Sequence, residues 1–178
     1  MKKLLVTGAA GFIGSNFVYY WHANNPEDCI VALDELTYAG NSNNLTALMD
    51  KDQFRFVKGN ISDLALVESL LAEHDIDTLV HFAAESHVDR SISGPDAFIQ
   101  TNIVGTHTLL KAAKRRWVDG PGNGSGLFHH VSTDEVYGSL SANDLAFTEK
   151  TSYAPNSPYA ASKAASDLLV RAYHHTYG

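Results

Sequence analysis

With 178 residues, the chain has room for one core of ordinary domain size and little for a second large folding unit. Hydrophobic residues make up 44% and charged residues 19%, which excludes disorder, collagen-like repeats and low complexity, and no apolar run approaches the roughly 20 residues of a membrane span. A net charge of -7, with 13 basic residues scattered except for Lys111, Lys114, Arg115 and Arg116, argues against a nucleic-acid partner, and Cys29 as the lone cysteine excludes an intramolecular disulfide or a cysteine-built zinc cluster.

Gly8 and Gly11 interrupt the amino-terminal apolar run before a secretory cleavage site can form, so the expectation is a soluble, cytoplasmic chain without a membrane partner. Short β-branched or apolar runs at Lys3 to Thr7, Cys29 to Asp34, Phe54 to Lys58, Thr78 to Ala83 and Leu127 to Thr133 read as strands, with Cys29 a small buried hydrophobe. Helical spacing occupies Phe12 to Ala23, Leu64 to Ala72, Ala97 to Trp117 and Pro158 to Tyr173. Asn41 to Met49 adds a short helix, and Asp119 to Gly126, with four glycines, reads as a surface loop. Lys111 to Arg116 closes a helical pattern, where cations complement the helix dipole.

Strand alternating with helix calls for parallel strands joined by right-handed crossovers. The implied α/β architecture is a doubly wound sheet in the order 3-2-1-4-5, with ligands at the carboxyl ends of strands 1 and 4. Such a sheet normally continues into a sixth strand after a helix like the last one, so the expectation is a single domain, 1 to 178, truncated before strand 6 and leaving strand 5 as an apolar edge.

Strand 1 runs into Thr7-Gly8-Ala9-Ala10-Gly11-Phe12-Ile13-Gly14, where a helix begins. Gly8 permits a tight turn, Gly11 lets the backbone approach a pyrophosphate, and Gly14 allows close helix–strand packing. Asp34 follows Gly14 by about 20 residues at the end of strand 2, the position of an acid that binds ribose hydroxyls, which makes the fold Rossmann-like. Asp34 would repel a 2′-phosphate, and Glu35, Leu36 and Thr37 supply no cation to neutralise one, so the cofactor expected is NAD.

Tyr159 and Lys163 stand at i and i+4 on one face of the last helix. A tyrosine with an ordinary pKa of about 10 is almost wholly protonated at neutral pH, and a nearby ammonium and an oxidised nicotinamide both favour the phenolate, which makes Tyr159 a candidate base. The adjacent carboxyls of Asp134 and Glu135 follow strand 5. Like charges this close do not both ionise cheaply, and partial burial favours the neutral form, so one acid and one base are expected there, a pairing suited to elimination of water. The alternative is a pair of solvated loop carboxylates.

The Thr-Gly-x-x-Gly-x-x-Gly loop and Tyr159-x-x-x-Lys163 resemble the extended short-chain dehydrogenase/reductase superfamily along the whole chain. By that resemblance Tyr159 deprotonates a sugar hydroxyl, Lys163 lowers its pKa and binds the nicotinamide ribose, and Thr133 orients the same hydroxyl. The runs 34–41, DELTYAGN, and 81–91, HFAAESHVDRS, together with Val131 to Gly138, resemble the dTDP-glucose 4,6-dehydratase family within it. The resemblance implies a sugar-nucleotide substrate and C4 oxidation assisted by Tyr159. It also gives Glu135 the removal of the C5 proton, Asp134 the protonation of the departing C6 hydroxyl, and the cofactor its regeneration by return of hydride to C6.

The same resemblance places Phe12, Ile13, Asn60, Ile61, Ala83 and Ala84 with the glycines and Asp34 at the cofactor, and Ser86, Arg90 and Thr133 at the substrate. Asn60 stands where an Asp is usual, still offering a carbonyl to adenine. Glu35 replaces a commoner Lys, which adds to the bias against NADP. Asp63 reads as a helix N-cap, and Arg90 is either a ligand or one half of a surface ion pair. Asn102 and Thr106 lie near the cofactor in the family, though Asn102 also suits local backbone hydrogen bonding. The histidines lack metal-ligand spacing, so structural or surface roles are expected. Family members are roughly twice this long, with a carboxyl-terminal portion that holds the nucleotide diphosphate. They form homodimers through the two long helices, to which Leu109, Leu110, Leu168, Leu169 and Val170 would contribute unless they pack only against their own sheet.

Overall fold

The computed structural model describes residues 1–120 and 124–178; part of the expected glycine-rich loop lies outside the described residues. Five strands, β1 (Lys3–Thr7), β2 (Cys29–Asp34), β3 (Phe54–Lys58), β4 (Thr78–His81) and β5 (Leu127–His130), form one wholly parallel sheet in the order β3-β2-β1-β4-β5. Helix α1 (Phe12–Asn24) and a 3-10 segment, Ser42–Leu48, cover one face. On the other lie α2 (Leu64–Glu73), the short α3 (Val88–Ser93) and α4 (Asp96–Phe98), α5 (Thr106–Ala113) and α6 (Pro158–Tyr177).

Strand residues alternate between two cores because successive side chains leave opposite faces of the sheet. Leu4 and Val6 of β1, Ile30 and Ala32 of β2 and Val80 of β4 pack with Val18 and Leu45. Leu5, Val31, Leu33 and Leu79 pack on Val67, Leu71, Leu109 and Trp117. Burial on both faces is why these strands read as continuous apolar runs rather than as alternating ones. Strand β5 differs: it pairs with β4 alone, and Leu127 is 53% exposed. Cys29 is half-buried rather than buried, at the first position of β2.

The strand and helix starts agree with the hydrophobic pattern, but β4 and β5 stop earlier than expected, at His81 and His130. The residues beyond leave the sheet to form the rim of the site. The expected single helix from Ala97 to Trp117 is helical throughout Asp96 to Val118, with π-helical geometry over Ile99–Gly105 and Lys114–Val118. Asp63 caps α2, accepting a hydrogen bond from the Leu66 amide at 3.1 Å. Lys114, Arg115 and Arg116, which open the second π-helical stretch, pair with Asp119, Glu68 and Asp75 respectively.

Among the described residues, no helix is long and apolar enough to cross a membrane. Leu109 and Leu110 are buried in the domain's own interior, which removes them from any surface between copies; Leu168 is 54% exposed.

Candidate active site

The carboxyl ends of β1 and β4 diverge at the point where the winding reverses, and a cleft of about 350 Å³ opens there. The α1 amino terminus forms one wall. Gly8 holds φ +69°, and a Cβ on it would stand 2.5 Å from the Ala83 backbone nitrogen; a Cβ on Gly14 would stand 2.1 Å from the Gly8 carbonyl oxygen. Both positions therefore need glycine for the protein's own packing. Gly11 does not: its nearest neighbour would be the Gly8 oxygen at 3.3 Å, so the missing side chain leaves room in the cleft.

No side chain caps α1, and its first turn carries no acid. An uncapped helix start of 13 residues presents backbone N–H groups and the positive end of a dipole to the cleft. Phe12 and Ile13 stand at its rim, strongly exposed. Asp34 lines the opposite end; its carboxylate accepts from the Ala10 amide at 2.9 Å and the Leu36 amide at 2.8 Å, which fixes its direction while leaving lone pairs for further donors. These features fit a dinucleotide: N–H groups for a pyrophosphate, an oriented acid for ribose hydroxyls, and Ile61, Ala83 and Ala84 as apolar walls.

Asn60 is not in the cleft lining. Its side-chain carbonyl accepts from the Ser62 amide at 2.7 Å in a local turn. Asn102 is buried and serves the backbone, accepting from the Glu85 amide and donating to the Glu85 carbonyl and the Ser162 hydroxyl, each at 2.9 Å. Thr106 joins it to His81: its hydroxyl donates to the Asn102 carbonyl at 2.6 Å and lies 3.0 Å from His81 Nε2.

Tyr159 and Lys163 enter from α6, whose start is fixed by Ser157 as N-cap and Pro158 in the first turn. Both side chains line the cleft and both are largely buried. Thr133 lies beside the Tyr159 phenol, whose ring meets Phe98 edge-on at 6.3 Å. Burial, together with the negative fields of Glu135 and Asp134, pushes the phenol above its ordinary value, and Thr133 opposes that rise. Lys163 donates from Nζ to the Val131 carbonyl at 2.7 Å, and burial lowers its ammonium to about 8. The Lys163 ammonium is directed at a backbone carbonyl, and desolvation is the largest influence on the phenol.

Asp134 and Glu135 sit on a 3-10 turn, Asp134–Tyr137, that Thr133 caps through the Glu135 amide. Both carboxyls are exposed, against the expected partial burial, because the turn projects away from the sheet beyond β5. They and Thr133 flank the cleft rather than line it. Ser86 lines the cleft; Arg90 does not, and its guanidinium lies 4.3 Å from the centre of the Tyr38 ring, with Tyr38 Oη 3.4 Å from Ser86 Oγ. Burial raises the Glu85 carboxyl, opposed by Arg90.

Sequence reasoning assigned no role to Tyr38, Ser132 or Asp167. Tyr38 stood inside a quoted run but its crossing to Ser86 spans two loops. Asp167 had a legible signal, its position four residues beyond Lys163 on the same helix face.

A family model described as GDP-mannose 4,6 dehydratase matches residues 5–178. A dTDP-glucose 4,6-dehydratase of Xanthomonas campestris pv. campestris strain B100 is 58% identical over 180 residues, covering 100% of this chain and 50% of the relative. Escherichia coli K12 dTDP-glucose 4,6-dehydratase 1 is 51% identical, with 99% of this chain and 51% of the relative covered. The crystal structure of a Streptomyces venezuelae dTDP-glucose 4,6-dehydratase with NAD bound superposes with a TM-score of 0.88 at 52% identity, covering 98% of this chain and 52% of that one. The chain thus spans about half the length of the curated relatives it matches.

Proposed function

Because the chain belongs to the GDP-mannose 4,6 dehydratase family, we propose that it is the NAD-binding, catalytic-residue-bearing half of a lyase that converts dTDP-glucose to dTDP-4-keto-6-deoxyglucose. The observation that carries this reading is the joining of two chemistries in one cleft: Tyr159 and Lys163 line it together with the glycine loop and Asp34, and Thr133, Asp134 and Glu135 lie beside the Tyr159 phenol.

NAD, when bound, supplies a reversible two-electron acceptor beside the phenol. Gly8, Gly11, Gly14, Phe12 and Ile13 would hold its pyrophosphate, Asp34 its adenine ribose, and Lys163 its nicotinamide ribose. Desolvation keeps the Tyr159 phenol protonated, and the positive charge that oxidised NAD would supply beside it would favour the phenolate. Thr133 orients the sugar C4 hydroxyl and Tyr159 Oη accepts its proton. Once C4 is a ketone the C5 proton becomes acidic; the Glu135 carboxylate removes it and Asp134, carrying a proton for this step, gives that proton to the departing C6 oxygen, so that water leaves. The acid pair favours elimination over simple epimerisation, which needs no second proton donor.

Asn60 serves in this reading through its turn, which sets Ile61 against the cleft, and Ser86 and Arg90 contact the sugar nucleotide with Tyr38 between them. Dimerisation through the two long helices belongs to the same reading, supported by the exposed Ile99, Val104 and Leu168. The nucleotide diphosphate is then gripped by the portion of the relatives' length outside these 178 residues.

The test is product analysis by mass spectrometry with a protein spanning the relatives' full length, dTDP-glucose and NAD. Loss of 18 Da from the sugar, by the mass of one water (~18) leaving as C5–H and C6–OH are broken, is expected. A C4 epimer of unchanged mass as the sole product sinks the dehydratase reading.

A further inference from the structure

The segment that carries Asp134 and Glu135 is fastened to α6 by two consecutive residues. Val131 accepts from Lys163 Nζ at 2.7 Å and Ser132 Oγ donates to Asp167 Oδ2 at 2.6 Å, while Thr133 lies beside the Tyr159 phenol. The helix partners, Tyr159, Lys163 and Asp167, are spaced four apart and so share one stripe. Asp167 collects more than one strap: Tyr153 Oη donates to Oδ2 at 3.0 Å and His130 Nε2 lies 3.1 Å from Oδ1. Three separate pieces of chain, the end of β5, its exit and the loop before α6, therefore converge on one carboxylate whose side chain is 11% exposed.

We propose that Asp167 is a positioning residue of the reaction, locking the acid-bearing segment in register with α6 and holding the Lys163 side chain in its cationic form. The proposal rests on the reading of Tyr159 and Lys163 given above, and it adds a third turn to their stripe. Burial alone drives Asp167 up, but the hydrogen bonds that Ser132 and Tyr153 donate to Oδ2, with the His130 ring beside Oδ1, outweigh it, so it stays an anion. That anion opposes the burial that drives Lys163 down. The other groups around Lys163 are the Val131 carbonyl from the β5 exit, Tyr159 one turn earlier, and His130 and His81, with whose cationic forms the ammonium interacts unfavourably. Burial lowers both histidines, so at neutral pH they are uncharged and Asp167 is the compensating charge.

The test is titration of Lys163 in the 178-residue chain by 13Cε NMR, with K163M assigning the resonance, alongside NAD binding by calorimetry. The unaltered chain is expected to titrate near 8, as the value of about 8 requires. D167N lowers the midpoint by about half a unit or more, and D167E restores it. An unchanged midpoint in folded D167N overturns the proposal, whereas loss of fold in D167N transfers the decision to S132A. S132A keeps the charge and cuts one strap, so amide exchange at Thr133 and Glu135 is expected to accelerate at least tenfold while the Lys163 midpoint stays within experimental error. Unaltered exchange in S132A overturns the positioning role. Failure of the unaltered chain to bind NAD, with the Lys163 shift intact, counts against the cofactor reading and leaves Asp167 standing.

Discussion

Two glycines of one loop are needed for different reasons, and substitution separates them. A methyl at Gly14 collides with the Gly8 carbonyl at 2.1 Å, whereas one at Gly11 has room to settle at 3.3 Å and then fills the cleft. Gly14→Ala is expected to cost about 1–3 kcal/mol in denaturant unfolding, the usual penalty of overpacking. Gly11→Ala is expected to unfold within about 0.5 kcal/mol of the unaltered chain while losing most of its NAD affinity in calorimetry. Equal stability losses in both would show that the cleft has no bearing on Gly11. Tyr159 gives a second residue-scale prediction. The phenol titrates above its ordinary value without ligand, so ultraviolet titration is expected to move one tyrosine to lower pH on adding NAD, and Tyr159→Phe removes that component. In a protein spanning the relatives' full length, the same substitution is expected to cut kcat for dTDP-glucose dehydration by about 10²–10⁴-fold. The glycines, Asp34 and the Tyr–Lys pair were legible because each depends on local spacing. Asn60 illustrates the limit: its identity was plain, but only the folded turn shows its carbonyl already engaged by Ser62.

At the scale of elements, His81 couples the sheet to the helical layer. Buried at the end of β4, it contacts the Thr7 hydroxyl of β1 at 2.7 Å and the Thr106 hydroxyl of α5 at 3.0 Å, and its ring lies tilted 5.2 Å from that of His130 of β5. Burial holds both imidazoles neutral. Below the ordinary value of 6.5 the unfolded chain takes up protons that these two positions refuse in the fold, so stability falls as the pH drops and levels off above that value. Denaturation at pH 7.5 and 5.5 is expected to differ by up to about 1.4 kcal/mol for each histidine per pH unit. His81→Gln, which does not titrate, is expected to remove roughly half of that difference; an identical pH slope in the variant contradicts the assignment. The same layer is helical where periodicity placed a helix, but not with one regular geometry. An α-helical wheel drawn over Ala97 to Trp117 assumes constant spacing, but each π-helical stretch changes the angle between neighbours, so the buried and exposed faces drift. Strand order was legible regardless, because burial on both faces leaves an unmistakable apolar signature.

For the molecule as a whole, the expected division of labour is that these residues hold the dinucleotide and the proton-transfer groups while the remainder of a relative's length holds the sugar nucleotide. The 178-residue chain is expected to bind NAD in calorimetry and to release no 4-keto-6-deoxy product from dTDP-glucose. Turnover at the rate of a full-length relative, with the chain's mass verified, would refute that division. The exposed Asp134 and Glu135 were the least legible feature at this scale, since sequence adjacency says nothing about what covers them.

Phe12, 82% exposed at the mouth of the cleft beside Ile13, carries one more consequence. A dinucleotide seated on α1 would dehydrate that aromatic rim, and removal of apolar surface from water leaves a negative heat-capacity change. The binding enthalpy should therefore grow more exothermic on warming, and trimming the ring with Phe12→Ala should flatten its temperature dependence.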